Sequence, residues 1–434
     1  MFMQFVPIER GNANSQFMQQ MRKKGLRVAF VHSGGPASGG NRIFSVAARQ
    51  FIQSEIPVIA FLNGFKNPLK VEINKLTKGV HFIPANEELI RRGMIENALL
   101  FKTARDNPGK LSEDLEIKAP EDLNNLEKMA GIDKVLDVLE ALRIGALGSF
   151  GGDDTLKVSN YVNLRAQMRS SDRLFRGTVH GPKTIDNDLP GIPWTYGYFS
   201  ALDAAISSID GFYHDGIATD VYHVIKLMGR NAGWITSGVV MNGRIAKACI
   251  PEELKGGVFD LHNFIEETVD IVIEREKRGV GGGVICIAEG LIDRLPKAMT
   301  QDAQKDEHGH TLFLAMHLEE AIAKYCGERY RVKTGKKKDF KAHELGHQLR
   351  QVAPSSYDQV LTAQIGLGLF DLIANGQFGR MISVHDAPDG TNNMGLYSIG
   401  YEELIDSMTL KVITRNIDPN SDYFRLYKTM QNMI

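Results

Sequence analysis

Five apolar runs in this chain break off at glycine and polar residues, and that repeated ending constrains the fold more than any other sequence feature. LRVAFV, from Leu26, meets SGGPASGGN, and a run ending at Phe150 meets GGDDT. The stretch Phe175–His180 leads into GPKTIDNDLPG, VYHVIKLMG leads into RNAGWIT, and GVICIAEG ends at Gly290. Helical stretches lie between them: Arg42 to Gln53, TLKVSNYVNLRAQM, and TYGYFSALDAAISSIDGFY. Short apolar strands alternating with helices, with turns at the strand carboxyl ends, predict parallel α/β layers. Glycine accounts for 43 of 434 residues, above the usual ~7%, and the surplus sits in these turns rather than in a linker.

A chain of this length predicts two to three domains at ~150 residues each. The expected fold is α/β, with two Rossmann-like three-layer domains, mostly parallel sheets, and an active site in the crevice between them. The boundary is placed near Pro190. The donor-binding domain is expected at 1–190 with a carboxyl-terminal return over about 355–434, and the second domain at 191–354. The polar runs KKK, at Lys336–Lys338, and EREKRG, at Glu274–Gly279, are expected to be solvated surface.

Composition removes several classes. Lysine plus arginine number 51 against 52 acidic residues, so a broadly basic nucleic-acid binder is not expected, while a local basic site stays open. No apolar run approaches ~18 residues, so no transmembrane helix or membrane partner is expected. The amino terminus lacks a basic region before its short apolar patch, which argues against a secretory signal. Cys249, Cys286 and Cys326 are far apart and form no C-x-x-C pair. A reducing cytoplasmic setting without a cysteine zinc site is the expectation.

Three turns carry potential chemistry. Ser33–Asn41 is either a tight βα turn or a glycine loop that brings backbone N–H groups and a helix end to an anion. In GGDDT, Asp153 and Asp154 repel each other, a repulsion relieved by a divalent cation or a nearby cationic side chain. Capping of the next helix is the plainer role. In PKTIDND, extended backbone would face Asp186 and Asp188 together, with Ile185 and Asn187 opposite. One carboxylate can then take a hydroxyl proton, and Lys183 offers the positive charge that phosphoryl transfer requires. A solvated turn is the alternative.

GGDDT, PKTIDNDLPG and LMGRNAGW, in this order and spacing, resemble the phosphofructokinase family. PEE at Pro251–Glu253, AEG at Ala288–Gly290 and LGHQLRQVAPSSYDQ at Leu345–Gln359 extend the likeness from about Leu26 to about Gly379. The resemblance implies roles residue by residue. Gly35 lies in the loop over the donor phosphates, and Asp153 is the carboxylate for Mg2+. Asp186 is the general base toward the sugar 1-hydroxyl, with Thr184, Ile185 and Asp188 beside it. Met228, Gly229, Arg230 and Glu289 hold the sugar phosphate, Arg230 also counting with the catalytic set, and His347 with Arg350 clasps the 6-phosphate.

Donor choice in this family tracks two positions. ATP users commonly carry GGDGS and PGTIDND; Asp154 and Lys183 form the pairing typical of diphosphate users. The resemblance thus implies reversible transfer from inorganic diphosphate to fructose 6-phosphate by a homodimer or homotetramer. An ATP-dependent enzyme, a kinase of another sugar phosphate such as sedoheptulose 7-phosphate, and a non-catalytic regulatory subunit are the alternatives. The chain departs from the family at Pro36 and Ser38 of the donor loop, at Lys226, and at Gln351-Val352. The two subunit-crossing arginines fall at Val221 and near Lys341, with Tyr222 or His223 the residues placed to substitute for the first.

Overall fold

The computed structural model describes residues 3–169, 173–254, 257–296, 317–387, 390–391 and 393–431. Twelve strands occur among them: β1 (Val6–Pro7), β2 (Arg27–His32), β3 (Val58–Phe61), β4 (Phe82–Pro84), β5 (Ile144–Gly151), β6 (Gly177–Pro182), β7 (Tyr222–Leu227), β8 (Ile245–Cys249), β9 (Gly283–Ala288), β10 (Phe340–Leu345), β11 (Arg380–His385) and β12 (Gly395–Gly400). The α/β fold with parallel sheets matches the expectation from the sequence.

Two compact units divide the chain. The first comprises 1–184, 189–199 and 353–414; the second comprises 185–188, 200–352 and 415–434. These ranges differ from the expected ones at the carboxyl end, which does not return wholly to the first unit. Residues 415–434 join the second because the helix Asp422–Gln431 packs on the helix Trp234–Val240 and on β8. There Tyr427 is fully buried and its hydroxyl donates to Glu253 at 2.6 Å.

The first unit holds an eight-stranded sheet in the order β1-β12-β11-β6-β5-β2-β3-β4. Its five central strands, β11 to β3, run parallel; β12, β1 and β4 are antiparallel additions. Every residue of β5 is buried, as a central parallel strand covered on both faces must be. The helices Leu126–Ala141 and Asp153–Met168 cover one face with Ile132, Val135, Leu136, Val158 and Val162, while Gly40–Gln53 packs against Ser356–Ala374.

The second unit is a wholly parallel four-stranded sheet, β10-β7-β9-β8. The helices Leu261–Lys277 and Leu318–Thr334 supply its core with Ile265, Val269, Val272, Ile322 and Cys326. All three cysteines are buried and free. Among the described residues no helix is long and apolar enough to cross a membrane.

The expectation of solvated charge runs fails at Arg275, which is buried and donates to the Tyr222 hydroxyl at 3.1 Å, and at Lys338. The Lys338 side chain is only 8% exposed, with Nζ 2.6 Å from Glu276 and donating to the carbonyl of Gly281 at 2.7 Å. Glu276 belongs to the other run read as surface, and it also accepts from the Tyr330 hydroxyl. The two charge runs partly neutralise each other just before β10 begins, a pairing that neither run shows alone.

Candidate active site

In the first unit, strand register brings three loops to one sheet edge. His32 of β2 pairs with Phe150 of β5, and Gly151 of β5 pairs with Pro182 of β6. The glycine loop after His32, the Asp153–Asp154 pair and Lys183–Thr184 therefore leave neighbouring strands at the same level. Carboxyl ends of parallel strands are where such folds place ligands.

Lys183 is 4% exposed, and its ammonium donates to the carbonyl of Gly35. Its backbone N–H bonds to Gly151 at 2.9 Å, which fixes the stem from which it reaches the loop. The loop itself is tied from behind: Thr103 Oγ1 donates to Gly34 at 2.7 Å and the Gly34 N–H to Ala104 at 2.9 Å. Burial lowers both neighbouring histidines, His32 and His180, to about 3, with the Lys183 charge adding to it. Both rings are neutral, and the cation near the loop is the ammonium.

The carboxylate pair opens a helix. Asp153 and Asp154 occupy the first turn of Asp153–Met168, where the dipole favours negative charge. Neither is the N-cap residue; that position is Gly152, which has no side chain to supply a capping bond. Relief of the repulsion comes from Lys157, 2.7 Å from Asp154. Burial opposes that ammonium, but Asp154 and then Asp153 outweigh it and raise its pKa. Lys157 lies one helical turn past the motif and was not anticipated from the sequence. Gly151 is required there, because a Cβ would collide with the Thr155 side chain.

Asp153 can serve a magnesium ion. Among the described residues no three His, Cys, Asp or Glu side chains gather as a metal cage. Magnesium does not need one, since it commonly binds through one or two carboxylates, phosphate oxygens and water. A half-exposed carboxylate beside a glycine loop suits that set.

In the second unit, Leu345 of β10, Leu227 of β7 and Ala288 of β9 stand in register across the sheet. Met228–Arg230, Glu289 and His347–Arg350 thus leave one edge together, as the first unit's loops do. The Met228 N–H donates to the carbonyl of Leu345 at 3.3 Å, and the Gly229 N–H to Glu289 Oε2 at 3.3 Å. Gly229 has φ 131°, and a Cβ there would lie 2.6 Å from the carbonyl of Ala232, so only glycine fits. Burial and then the Asp186 carboxylate push Glu289 up to about 7, against the Gly229 N–H and the charges of Lys226 and Arg230. Glu289 is therefore a group poised to exchange a proton near neutrality.

His347 and Arg350 lie on a 3-10 helix, His347–Gln351. His347 is exposed; Arg350 is half-buried, and its Nε is enclosed without a hydrogen-bond partner among the described residues. A buried guanidinium N–H is costly to leave unmade, and an oxyanion satisfies it well.

The chain passes between units inside PKTIDND, after Thr184. Thr184, Asp186 and Asp188 are half-buried while Lys183, Ile185 and Asn187 are buried, so the alternation appears. Its cause is not simple extended backbone: Asn187 has φ 54°, a left-handed value that asparagine tolerates better than most residues. Asp188 Oδ2 accepts from Asn231 Nδ2 at 3.1 Å, joining this loop to RNAG.

Both expected stand-ins for the missing arginine are buried and committed elsewhere. Tyr222 is fully buried, and its hydroxyl accepts from Arg275 Nε at 3.1 Å, so it cannot reach a phosphate. His223 is 2% exposed, bonded to Asp215 at 2.9 Å and to His343 at 2.9 Å. Lys341, in register with His223 on β10, is exposed. Lys226 is buried and paired with Glu319 at 3.0 Å.

Residues 27–373 match the family profile described as phosphofructokinase. The pyrophosphate–fructose 6-phosphate 1-phosphotransferase of Naegleria fowleri is 26% identical over 412 residues, covering 91% of this chain and 85% of that protein. The ATP-dependent 6-phosphofructokinase of Mycobacterium tuberculosis is also 26% identical, over 360 residues, covering 83% of this chain and 90% of that one. Among solved structures, a pyrophosphate-dependent phosphofructokinase from Nitrosospira multiformis superposes with a TM-score of 0.65 at 15% identity, over 93% and 91% of the two chains. The Saccharomyces cerevisiae phosphofructokinase gives 0.64 at 18% identity, over 87% of this chain but only 45% of the yeast one. At those identities the structural likeness carries the fold.

Proposed function

The chain belongs to the phosphofructokinase family, and on that premise we propose that it moves a phosphoryl group reversibly between inorganic diphosphate and the 1-hydroxyl of fructose 6-phosphate. The products are fructose 1,6-bisphosphate and phosphate. The observation that carries the donor assignment is the buried Lys183 ammonium, locked onto the Gly35 carbonyl of the donor loop. A fixed cation there neutralises charge on a small, highly charged donor. Asp153 and Asp154 together outnumber the single ammonium of Lys157, and the negative charge left over disfavours the further phosphate of a nucleotide.

In the forward direction, the sugar O1 attacks a phosphorus of the diphosphate. The O1–P bond forms, the bridging P–O bond breaks, and inorganic phosphate leaves. Asp186 takes the hydroxyl proton, and Arg230 and Lys183 offset charge on the moving group. Catalysis rests on positioning and charge neutralisation, with no covalent enzyme intermediate. Asp153 would hold magnesium, which supplies charge neutralisation on the phosphate oxygens. Arg350 and His347 receive the 6-phosphate, with Met228, Gly229 and Glu289 lining the sugar. A homodimer or homotetramer in the cytoplasm completes the proposal.

Use of ATP is the second reading, favoured by the altered donor loop at Pro36 and Ser38 and by the ATP-dependent relative at equal identity. Asp154→Gly discriminates between them. Diphosphate-dependent turnover should fall and ATP should become a detectable competitor; an unchanged donor ratio removes Asp154 from donor selection.

A further inference from the structure

We propose that Arg415 is a positioning residue for the catalytic loop, holding Asn187 and Asp188 so that Asp186 keeps its orientation. The inference rests on Asp186 being the base. Arg415 lies well beyond the family match, which ends at Ile373. No sequence motif surrounds it.

Its contacts with the loop lie within the second unit. The Arg415 backbone N–H donates to the carbonyl of Asp188 at 2.7 Å. Its Nη1 donates to Asn187 Oδ1 at 3.4 Å, a long bond that still falls on the residue with the left-handed φ. The guanidinium carbon stands 4.5 Å from the centroid of the Trp234 ring, and the Trp234 indole N–H donates to the Arg415 carbonyl at 3.1 Å. Arg415 is thus held by the same aromatic side chain through a cation–π stack and a hydrogen bond.

Trp234 is itself fixed. It is 6% exposed, starts the helix Trp234–Val240 and packs on Tyr423 at 5.2 Å between centroids. Tyr423 in turn bonds to Ser237 at 3.1 Å. Two residues past Arg415, the Ile417 N–H bonds to Glu252 at 3.2 Å, and Glu252 also accepts from the Gly233 N–H at 3.0 Å. The carboxyl-terminal segment is therefore anchored both at Arg415 and just beyond it.

The consequence follows from chain geometry. Asp186 precedes Asn187, and a left-handed residue returns to commoner backbone angles unless its surroundings hold it. Releasing Asn187 swings the preceding carboxylate, and misplacement of a reacting group by about 1 Å costs on the order of 10²-fold in rate. Arg415 acts through Asn187 and Asp188 rather than on a reacting atom.

The test compares Arg415→Ala and Arg415→Lys with wild type, in the full chain. Arg415→Ala should lower kcat by about tenfold to a hundredfold while KM for diphosphate stays within about twofold. Added methylguanidinium should restore part of the loss, and Arg415→Lys, which keeps a cation over Trp234, should fall between. A second readout needs no turnover. With Trp194→Phe, Trp234 is the sole tryptophan, and Arg415→Ala should shift its emission and raise its quenching by acrylamide. Normal kcat in a variant whose Trp234 emission has shifted overturns the proposal, as does a loss of kcat that methylguanidinium leaves untouched and that follows a fallen Tm. An unchanged Trp234 emission overturns the stack itself. Wild type inactive with both donors would instead count against the proposed reaction, with the emission result deciding the stack independently.

Discussion

Replacing His32 and His180 with asparagine should remove an acid sensitivity built into the first unit. Both rings are wholly buried. His32 faces the Gly40 carbonyl at 3.3 Å and stacks on Phe101; His180 contacts Ser149 Oγ at 2.9 Å and the Gly151 carbonyl at 3.1 Å. Burial, reinforced by Lys183, lowers each from the ordinary 6.5 to about 3. Between those values the unfolded chain binds the protons and the folded one does not, so stability is intact above 6.5 and declines as pH falls toward 3. From about pH 7 to about pH 5 each histidine should withdraw about 2 kcal/mol, roughly 4 together, against a total of ~5–15 for a folded domain.

Glu289 carries the opposite sign, because burial raises it to about 7 and folding then favours its proton as pH falls. It belongs to the second unit, so the readout should be confined to the first. Hydrogen exchange of β5 and β6 amides, corrected for intrinsic rate, reports that opening. Wild type should lose protection between about pH 7 and about pH 5, and the His32→Asn, His180→Asn double variant should lose far less. Equal pH dependence in the two proteins would show that these rings are not the proton-linked groups.

Two further outcomes bear on the proposed chemistry. Asp186→Asn keeps the shape of the side chain and removes the proton acceptor, so kcat should fall by ~10²–10⁴-fold; a value within twofold of wild type removes Asp186 from that role. Arg350→Ala removes a guanidinium whose Nε is enclosed without a partner among the described residues. Loss of a charged hydrogen bond of ~1.5–3 kcal/mol should raise KM for fructose 6-phosphate by roughly tenfold to a hundredfold and leave KM for diphosphate nearly unchanged. The reverse split would move Arg350 to the donor.

Much of the fold was legible because its signals are local. Apolar runs ending in glycine turns identify β2, β5, β6, β7 and β9, and the loops that follow them contain the candidate residues except His347 and Arg350, which follow β10. What escaped depends on tertiary contact. Lys157 pairs with Asp154 only once the helix forms, and the helix period would have suggested it. Lys338 reads as surface because its acid, Glu276, is distant in sequence. Tyr222 is committed to Arg275 across the sheet face, which no motif announces. Arg415 stands 228 positions from Asn187 in the chain, in a segment without a motif, and only the fold brings the two together. In PKTIDND burial alternates, but the extended backbone expected there is broken by a left-handed Asn187.

Initial rates of the purified full chain decide which phosphoryl donor it uses. With magnesium and fructose 6-phosphate present, diphosphate should support turnover, and the reverse reaction from fructose 1,6-bisphosphate and phosphate should run in the same preparation. ATP at equal concentration should support little or none. A preference for ATP would contradict the assignment built on Lys183 and Asp154.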